Sequence, residues 1–284
     1  MEWRGRRGSR NIEDRRRMGG GRMGGAAPIG GVGLLAVLAI GWFLGIDVTP
    51  LLDGTMSQTP GAPRELTAAE REQGQFVSVV LADTEVVWTD VFADQLGGRY
   101  QPPVMVLYAG VTASPCGSAS GATGPFYCPP DRKIYLDTEF FATLSRQLGA
   151  HGDFAAAYVV AHEVAHHVQN ELGILGEANA ARARMGQAES NAVSVRVELQ
   201  ADCLAGVWAR QVQDQFGVLE AGDVEEAVNA AHRIGDDMLQ RNAGRTPMPH
   251  TYTHGTAAQR ARWFMLGQKS GDINSCDTFS AQRL

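Results

Sequence analysis

The sequence predicts an α+β protein in which a mainly helical domain carries a small sheet. Long segments with apolar residues at helical spacing dominate the second half, whereas two short apolar or alternating runs in the first half are typical of strands. The 284 residues are 44% hydrophobic and 20% charged, which is the composition of a globular protein. The chain can hold one well-packed domain and an appendage, and its composition excludes a wholly disordered chain, a collagen-like repeat and a multi-span membrane protein.

Each element is predicted from a local pattern. Thr67 and Glu70 form a capping box, which predicts a helix over residues 66–96, either continuous or as two shorter helices. Residues 103–110 form an apolar run, and residues 133–137 alternate in polarity, so both predict strands, the second exposed on one face. Further helices are expected, most with a glycine near the end, over residues 138–148, 154–172, 189–216, 223–241 and 256–267.

Charge is distributed unevenly along the chain. Residues 1–27 carry eight arginines and three acidic residues, whereas the remainder carries 17 basic and 28 acidic residues, for an overall net charge of -6. Proteins that bind nucleic acid usually concentrate positive charge on the folded domain. Here the folded part is acidic, so we expect no nucleic-acid partner.

The basic segment precedes a long apolar stretch. Residues 28–46 contain 19 residues without a charge, and as a helix they are about 28 Å long, close to the roughly 30 Å of a hydrocarbon core. A cleaved signal peptide is the alternative, but no small-residue cleavage site follows. We therefore expect one transmembrane helix in a lipid bilayer, which makes the protein single-pass in the cell membrane. Residues 1–27 form a cytoplasmic tail, residues 47–64 a linker, and residues 65–284 an extracytoplasmic domain.

The cysteines fit an exported domain. There are four, Cys116, Cys128, Cys203 and Cys276, and an even number in an oxidising compartment predicts two disulfide bonds. Three pairings are possible. Pairing Cys116 with Cys128 costs least in chain entropy and leaves Cys203 for Cys276. Four unrelated buried thiols are the alternative.

The sequence His162-Glu163-Val164-Ala165-His166 lies inside a predicted helix. At helical spacing His162 and His166 lie one turn apart, so both imidazoles can bind one Zn²⁺, with Glu163 beside the metal-bound water. The metal lowers the pKa of that water, and the carboxylate accepts its proton when the water attacks a carbonyl carbon. The preceding residues are small and apolar, and burying such polar groups without a partner is costly. A bound metal removes that cost.

A third ligand is predicted on the next long helix. Glu198 and Asp202 are four residues apart amid apolar neighbours. Glu198 is expected to bind the metal, and Asp202 to accept a hydrogen bond from the far nitrogen of a ligand histidine. An exposed acidic pair is the alternative interpretation, and Glu189 and Glu177 are the substitute ligands.

Several blocks together resemble a bacterial family of membrane-anchored neutral zinc metallopeptidases. They are HEVAHHVQN, VELQADCLAGVWA, THGTAAQRARWF and SGDINSCDTF, and the resemblance extends from about Arg4 to Phe279. The first two blocks also look like those of the wider gluzincin group, in which HExxH pairs with a downstream ExxxD. This implies a zincin-like fold with one Zn²⁺ held by His162, His166 and Glu198, and Glu163 as general base. Ala165 departs from the glycine expected there.

Three further residues have two interpretations each. His254 lies just before the last helix, and by analogy with similar gluzincins it stabilises the oxyanion, or it is a structural residue of a helix-capping loop. His167 points away from the metal-binding face and is expected to pack or to bind a neighbouring carboxylate. Tyr158 lies one turn before His162, where a core position is favoured over a role at the site.

Together these patterns predict a membrane-anchored zinc metalloendopeptidase that hydrolyses peptide bonds in protein or peptide substrates. The alternative is a zinc-stabilised envelope binding protein without catalytic activity. Glu163 favours the enzyme, because a purely structural zinc site does not need a carboxylate that is not a ligand.

Overall fold

The computed structural model describes residues 1–17, 65–120 and 123–284. These residues form a mainly helical α+β domain with a small sheet, which confirms the predicted fold class. The four-stranded sheet has the order β1-β2-β6-β5, with β1 at Ile12–Asp14, β2 at Val104–Tyr108, β5 at Phe126–Cys128 and β6 at Lys133–Asp137. Strands β1, β2 and β6 are parallel, and β5 is antiparallel to β6.

A two-stranded hairpin covers one face of this sheet. It consists of β3 (Val111–Ser114) and β4 (Gly117–Ser120), neither of which has a recognisable pattern in the sequence. Ala119 of the hairpin packs with Tyr135 of β6, while Ile134 and Leu136 face the main core. The prediction that β6 is exposed on one face is therefore wrong, because the hairpin buries its second face.

The helices follow the predicted order with two differences. A helix that was not predicted follows the one carrying the HExxH residues, and the predicted helix over residues 223–241 is broken into two. The break lies at Gly235, where a side chain has no space because its Cβ would be 2.3 Å from the backbone nitrogen of Ala257. The helices are α1 (Ala68–Leu96), α2 (Phe140–Arg146), α3 (Asp153–Glu171), α4 (Ile174–Arg182), α5 (Gln187–Phe216), α6 (Asp223–Arg233), α7 (Asp236–Asn242) and α8 (Ala257–Ser270).

The capping prediction for α1 is confirmed. The Thr67 hydroxyl accepts a hydrogen bond from the backbone N–H of Glu70, and the Glu70 carboxylate accepts one from the backbone N–H of Thr67. The helix runs without a break to Leu96, and Gly97 ends it in the left-handed conformation.

Residues 1–17 belong to the same folded unit as the domain, which differs from the separate tail that the sequence predicts. Strand β1 extends the sheet, and Trp3 is 5% exposed and packs edge-on against Phe76 with ring centroids 5.5 Å apart. The Arg6 guanidinium is 2.5 Å from the Asp83 carboxylate of α1. The composition of this segment shows mainly its arginines. A few apolar side chains and the backbone of β1 are what attach it to the domain.

No helix within residues 1–17, 65–120 and 123–284 is both long enough and apolar enough to cross a membrane. The predicted transmembrane helix at 28–46 and the predicted linker at 47–64 lie outside the described residues.

Two disulfide bonds are present, and they join the pairs with the lowest cost in chain entropy. Cys116 and Cys128, with Cα atoms 5.8 Å apart, connect the hairpin to the end of β5. Cys203 and Cys276, with Cα atoms 5.5 Å apart, connect α5 to a short 3-10 helix at Ile273–Cys276.

Helix α3 lies at the centre of the domain. It packs against α5, α6, α1 and α4, and strand β5 lies beside it. The side chains in the first half of this helix are mostly small and apolar, and the helix is buried along nearly its whole length. The side chains that the sequence assigns to chemistry therefore project from a rigid element surrounded by other helices.

Candidate metal centre and cleft

The two histidines of the HExxH motif lie on one face of α3. Their rings are edge to face with centroids 4.8 Å apart, as expected for residues one helical turn apart. His162 is 6% exposed, so little solvent reaches it. Both Nε2 atoms point toward the neighbouring helix α5.

Helix α5 brings Glu198 to the same point. His162 Nε2 is 3.1 Å from Glu198 Oε2, and His166 Nε2 is 3.6 Å from Glu198 Oε1. The three side chains offer ligand atoms that all lie within 4.8 Å of one another. The structure thus brings together the three predicted ligands. Glu189, one of the two substitutes, is at the exposed start of α5, where it accepts a hydrogen bond from the Gly186 backbone.

The other substitute ligand is also elsewhere. Glu177 is exposed and lines a separate groove, whose lining includes neither of the two histidines. Of the three glutamates weighed as the third ligand, only Glu198 reaches the imidazoles.

The far nitrogen of His162 lies beside Asp202, without a hydrogen bond to it in the described part of the chain. His162 Nδ1 is 2.9 Å from Asp202 Oδ1, and Asp202 is completely buried. Tyr158 donates a hydrogen bond to the same oxygen at 2.5 Å. Arg260 of α8 donates to both oxygens, from Nε at 2.9 Å and from Nη2 at 3.0 Å. Tyr158 is therefore both a core residue and a contact of the site, and Arg260 balances the charge of a buried carboxylate.

His166 is oriented by a residue that the sequence reasoning missed. The Gln169 Oε1 atom is 2.9 Å from His166 Nδ1. The Gln169 amide group in turn donates to the backbone oxygen of Val197 and to Gln200 Oε1, at 2.8 Å and 3.0 Å. The spacing of three residues from His166 to Gln169 on one helix is a signal that could have indicated this contact.

Glu163 is also buried beside the histidines. It is 8% exposed, and its Oε2 atom has no hydrogen-bond partner within the described part of the chain. Burial raises the pKa of Glu163, although the nearby imidazoles of His166 and His162 oppose the shift. A buried acceptor that lacks a protein partner suits a group that contacts a water molecule or substrate.

His254 lies at the same cleft and is held by an aspartate. Its Nδ1 atom is 3.2 Å from Asp236 Oδ1, and Asp236 Oδ2 accepts hydrogen bonds from the backbone N–H groups of Thr253, His254 and Gly255 at 2.8, 2.7 and 2.9 Å. The cap of α8 is Thr256, so His254 lies in the loop directly before the cap, where Asp236 holds it. Asp236 had no local signal, because 18 residues separate it from His254.

The charges of the site suit a cation. Burial alone would lower the pKa of His162, but the carboxylates of Asp202 and Glu198 raise it to about 10. Burial would raise the pKa of Glu198, yet the neighbouring histidines hold it well below its usual range. Two imidazole nitrogens and one carboxylate form the donor set of a hydrolytic zinc centre, in which the remaining coordination position is open. The residues therefore fit Zn²⁺.

A cleft of about 490 Å³ opens over these groups. His162, Glu163, His166, Glu198 and His254 all line it, and its remaining walls are largely apolar. Those walls are formed by Phe126, Phe140, Leu148, Leu175, Ile234 and Leu239. Arg260, a further charged residue of this lining, is 2% exposed and paired with Asp202, so a chain segment with apolar side chains can still approach the polar centre.

An HExxH helix, a carboxylate from a second helix and an open cleft define the class of zinc-dependent hydrolases. The profile of the family described as "Putative neutral zinc metallopeptidase" matches residues 1–279, and the chain belongs to this family. At this coarse level, membership supports a zinc-dependent peptide hydrolase.

Several relatives are similar over much of the chain. The Escherichia coli K12 protein YpfJ is 46% identical over 285 residues, which cover 98% of this chain and 99% of YpfJ. Mycobacterium bovis Mb2605 and Mycobacterium tuberculosis Rv2575 are each 47% identical over 195 residues, which cover 65% of this chain and 65% of each relative. All three carry the description "uncharacterized protein". No solved structure matches the chain significantly.

Proposed function

We propose that this protein is a zinc-dependent endopeptidase that hydrolyses peptide bonds in protein or peptide substrates. The observation that carries the proposal is the convergence of three ligand atoms within 4.8 Å beside Glu163, a buried carboxylate whose Oε2 atom has no hydrogen-bond partner among the described residues. His162, His166 and Glu198 hold the metal in this proposal. Bound zinc supplies an activated water molecule and polarises the substrate carbonyl group.

Glu163 acts as the general base. Its buried carboxylate accepts the proton of the attacking water and delivers it to the departing amine nitrogen. The raised pKa of Glu163 favours this role, because a base with a pKa closer to neutrality also returns the proton more readily. His254 donates a hydrogen bond to the developing oxyanion, and Asp236 orients its ring.

The test uses the full-length protein in three versions, namely wild type, Glu163→Gln and Glu189→Gln. Zinc per chain is measured by atomic spectroscopy, and cleavage of casein and of a mixed peptide library is followed by mass spectrometry. Glu163→Gln keeps the shape of the side chain but removes the base. Glu189→Gln is the matched control, since Glu189 is exposed and distant from the imidazoles.

We expect about one zinc ion per chain in all three proteins. Cleavage by Glu163→Gln should fall by about 10²–10⁴-fold, whereas Glu189→Gln should match wild type. Zinc binding without cleavage by wild type would favour the catalytically silent binding protein. Well-folded wild type that binds no zinc would refute both functions.

We also propose that residues 28–46 attach the protein to a lipid bilayer. Their apolar side chains and lack of charge support this. The two disulfide bonds favour an oxidising compartment for the domain. The pairing of β1 with β2 adds a condition, because residues 1–17 and the domain must then lie on one side of the bilayer. A cytoplasmic tail with an extracytoplasmic domain requires β1 to leave the sheet, so we propose that both are extracytoplasmic.

Labelling of single cysteines in whole cells tests this arrangement. Arg10→Cys and Arg184→Cys place thiols at exposed positions of the N-terminal segment and of the domain. We expect a membrane-impermeant maleimide to label both without permeabilisation. Labelling of Arg184→Cys alone would support the opposite-side arrangement that the charge pattern predicts. If both need permeabilisation, the compartment is wrong, and recovery of the chain in the soluble fraction would refute attachment.

A further inference from the structure

His167 follows a predicted metal ligand directly, yet it takes no part in the proposed centre. Successive residues of a helix are rotated by about 100°, so the side chain of His167 leaves α3 on a different side from that of His166. His167 is completely buried. Of the two roles expected from the sequence, packing is confirmed, whereas its hydrogen-bond partners are a hydroxyl group and a backbone carbonyl rather than a carboxylate.

The two ring nitrogens of His167 have different partners. Nε2 is 2.6 Å from the backbone oxygen of Gln101, and Nδ1 is 3.1 Å from the hydroxyl oxygen of Tyr127. A carbonyl oxygen only accepts, so Nε2 carries the hydrogen, and Nδ1 accepts the proton of the Tyr127 hydroxyl. The rings of Tyr127 and Tyr100 also pack edge-on against the imidazole, with centroids 5.4 and 5.7 Å away. His167 thus has one neutral tautomer with both nitrogens satisfied.

Tyr127 belongs to one wall of the cleft. Residues 123–127, which we call the β5 wall, line the cleft together with the metal-binding histidines and Glu163. Strand β5 has only three residues, and within the described part of the chain it is hydrogen-bonded to β6 alone. The hydroxyl group of Tyr127 is hydrogen-bonded to His167 of α3. The tyrosine therefore bridges from a short edge strand to the metal-bearing helix.

We propose that His167 is a positioning residue that holds the β5 wall at a fixed distance from the metal-bearing face of α3. The proposal rests on the proposed peptidase function, because the wall matters only if a substrate lies between it and the centre. One residue of α3 then faces the metal and the next sets the width of the cleft. Loss of the link lets the wall move, which weakens substrate binding without removing a ligand or the base.

The cleanest perturbation is Tyr127→Phe, which keeps the ring packing and removes only the hydroxyl group. Its matched control is Tyr135→Phe on the neighbouring strand β6. The Tyr135 hydroxyl donates to Asp131 at 2.6 Å, and neither residue lines the cleft. Both variants lose one tyrosine hydrogen bond within the same sheet, so an effect on folding alone would appear in both.

We expect Tyr127→Phe to raise KM for a cleaved peptide about three- to tenfold, the change that the loss of one hydrogen bond typically causes. Its kcat and zinc content should stay within twofold of wild type, and Tyr135→Phe should match wild type in KM. Equal KM values in the two variants would overturn the proposal. A fall in kcat or in zinc content with KM unchanged would also overturn it, because His167 would then act on the centre itself.

A second pair of variants addresses His167 directly. His167→Gln can still donate to Gln101 and accept from Tyr127, whereas His167→Leu can do neither. We expect His167→Gln to restore most of the substrate affinity that His167→Leu loses, and equal losses would contradict the proposal. His167→Leu buries an unpaired hydroxyl group and carbonyl group, so Tyr127→Phe remains the decisive variant if the leucine variant fails to fold.

Amide hydrogen exchange separates this proposal from the proposed function. In Tyr127→Phe, residues 123–128 should exchange several-fold faster than in wild type, with α3 unchanged. If wild type cleaves no peptide, the proposed function fails, and exchange still tests whether α3 holds the wall. Unchanged exchange at residues 123–128 would refute the link in either case.

Discussion

Helices α5 and α8 pack so closely at Gly206 and Gly267 that neither position has space for a side chain. A Cβ atom on Gly206 of α5 would be 2.0 Å from the backbone oxygen of Phe264 and 2.7 Å from the backbone nitrogen of Gln268. A Cβ on Gly267 of α8 would be 1.9 Å from the backbone oxygen of Cys203. The close contact keeps Arg260 of α8 within hydrogen-bond distance of α5.

Gly206→Ala should therefore destabilise the fold. Real Cβ atoms essentially never come within 3.0 Å of another heavy atom, so one helix must retreat by about 1 Å. Because the opposing atoms belong to a backbone, we take the upper end of the overpacking range, about 3 kcal/mol. Alanine returns about 1 kcal/mol in helix propensity. The expected loss in the free energy of unfolding is about 2 kcal/mol, or roughly 4–8 °C in Tm for a domain of this size.

Gly176→Ala is the matched control. Gly176 lies in helix α4, and no atom lies within 4 Å of where its Cβ would be. Only the propensity term remains, so this variant should be more stable than wild type by about 1 kcal/mol. The same substitution is thus expected to lower the free energy of unfolding at Gly206 and to raise it at Gly176.

Thermal and urea unfolding followed by circular dichroism measure both effects. The reasoning is refuted if Gly206→Ala unfolds within 0.5 kcal/mol of wild type, or if both variants shift in the same direction by a similar amount. A loss confined to Gly206→Ala would show that backbone contact between α5 and α8 limits this interface.

Three further predictions concern the centre, a disulfide and a buried acid. Asp202→Asn should weaken zinc binding by about 10–100-fold in a chelator competition, because His162 loses the carboxylate beside Nδ1. Replacing Cys203 and Cys276 by serine should cost about 4 kcal/mol in urea unfolding, since their bond spans 73 residues of sequence. Burial raises the pKa of Asp137 from 3.8 to about 6, against two backbone hydrogen bonds that oppose the shift, so the folded state binds this proton more strongly than the unfolded state. The stabilisation from this bound proton is complete below about pH 4, and up to about 3 kcal/mol of it is lost as the pH rises through 6. Urea unfolding of Asp137→Asn between pH 4 and 7 should not show this loss.

Each of these predictions has an outcome that contradicts it. Asp214→Asn alters an exposed ion pair with Arg210 and should leave zinc affinity unchanged, so an equal loss in both variants would argue against a local effect at His162. Wild-type stability without the disulfide would show that packing alone holds residues 273–276. Parallel stability profiles of wild type and Asp137→Asn between pH 4 and 7 would mean that the burial of Asp137 does not govern its titration.

Local sequence patterns were sufficient for most helices and for the three metal-binding candidates. Thr67 and Glu70 indicated the start of α1, and the spacing of His162 and His166 placed both on one helical face. Such signals lie within a few residues of each other, where chain geometry alone sets the distance. Glu198 could be predicted because it lies in an unusually apolar segment of the next long helix.

Composition was a poor guide where a few contacts decide the structure. Residues 1–17 look like a solvated basic tail, but Trp3 and strand β1 join them to the core. Strands β3, β4 and β5 are short and lack an alternating pattern, so only their pairing partners define them. The break at Gly235 arises because the backbone at Ala257 passes close by, which no window of sequence around residue 235 reveals.

The sequence by itself determined the helical α+β class and the residues that could hold a metal and activate water. Only the tertiary structure decided which distant groups hold the side chains around that centre: Arg260 on Asp202, Asp236 on His254, and Tyr127 on His167. The physical reason is the range of the interactions. Helical periodicity and capping act over three or four residues, whereas a buried hydrogen bond forms between whichever residues the packing of helices and strands brings within about 3 Å.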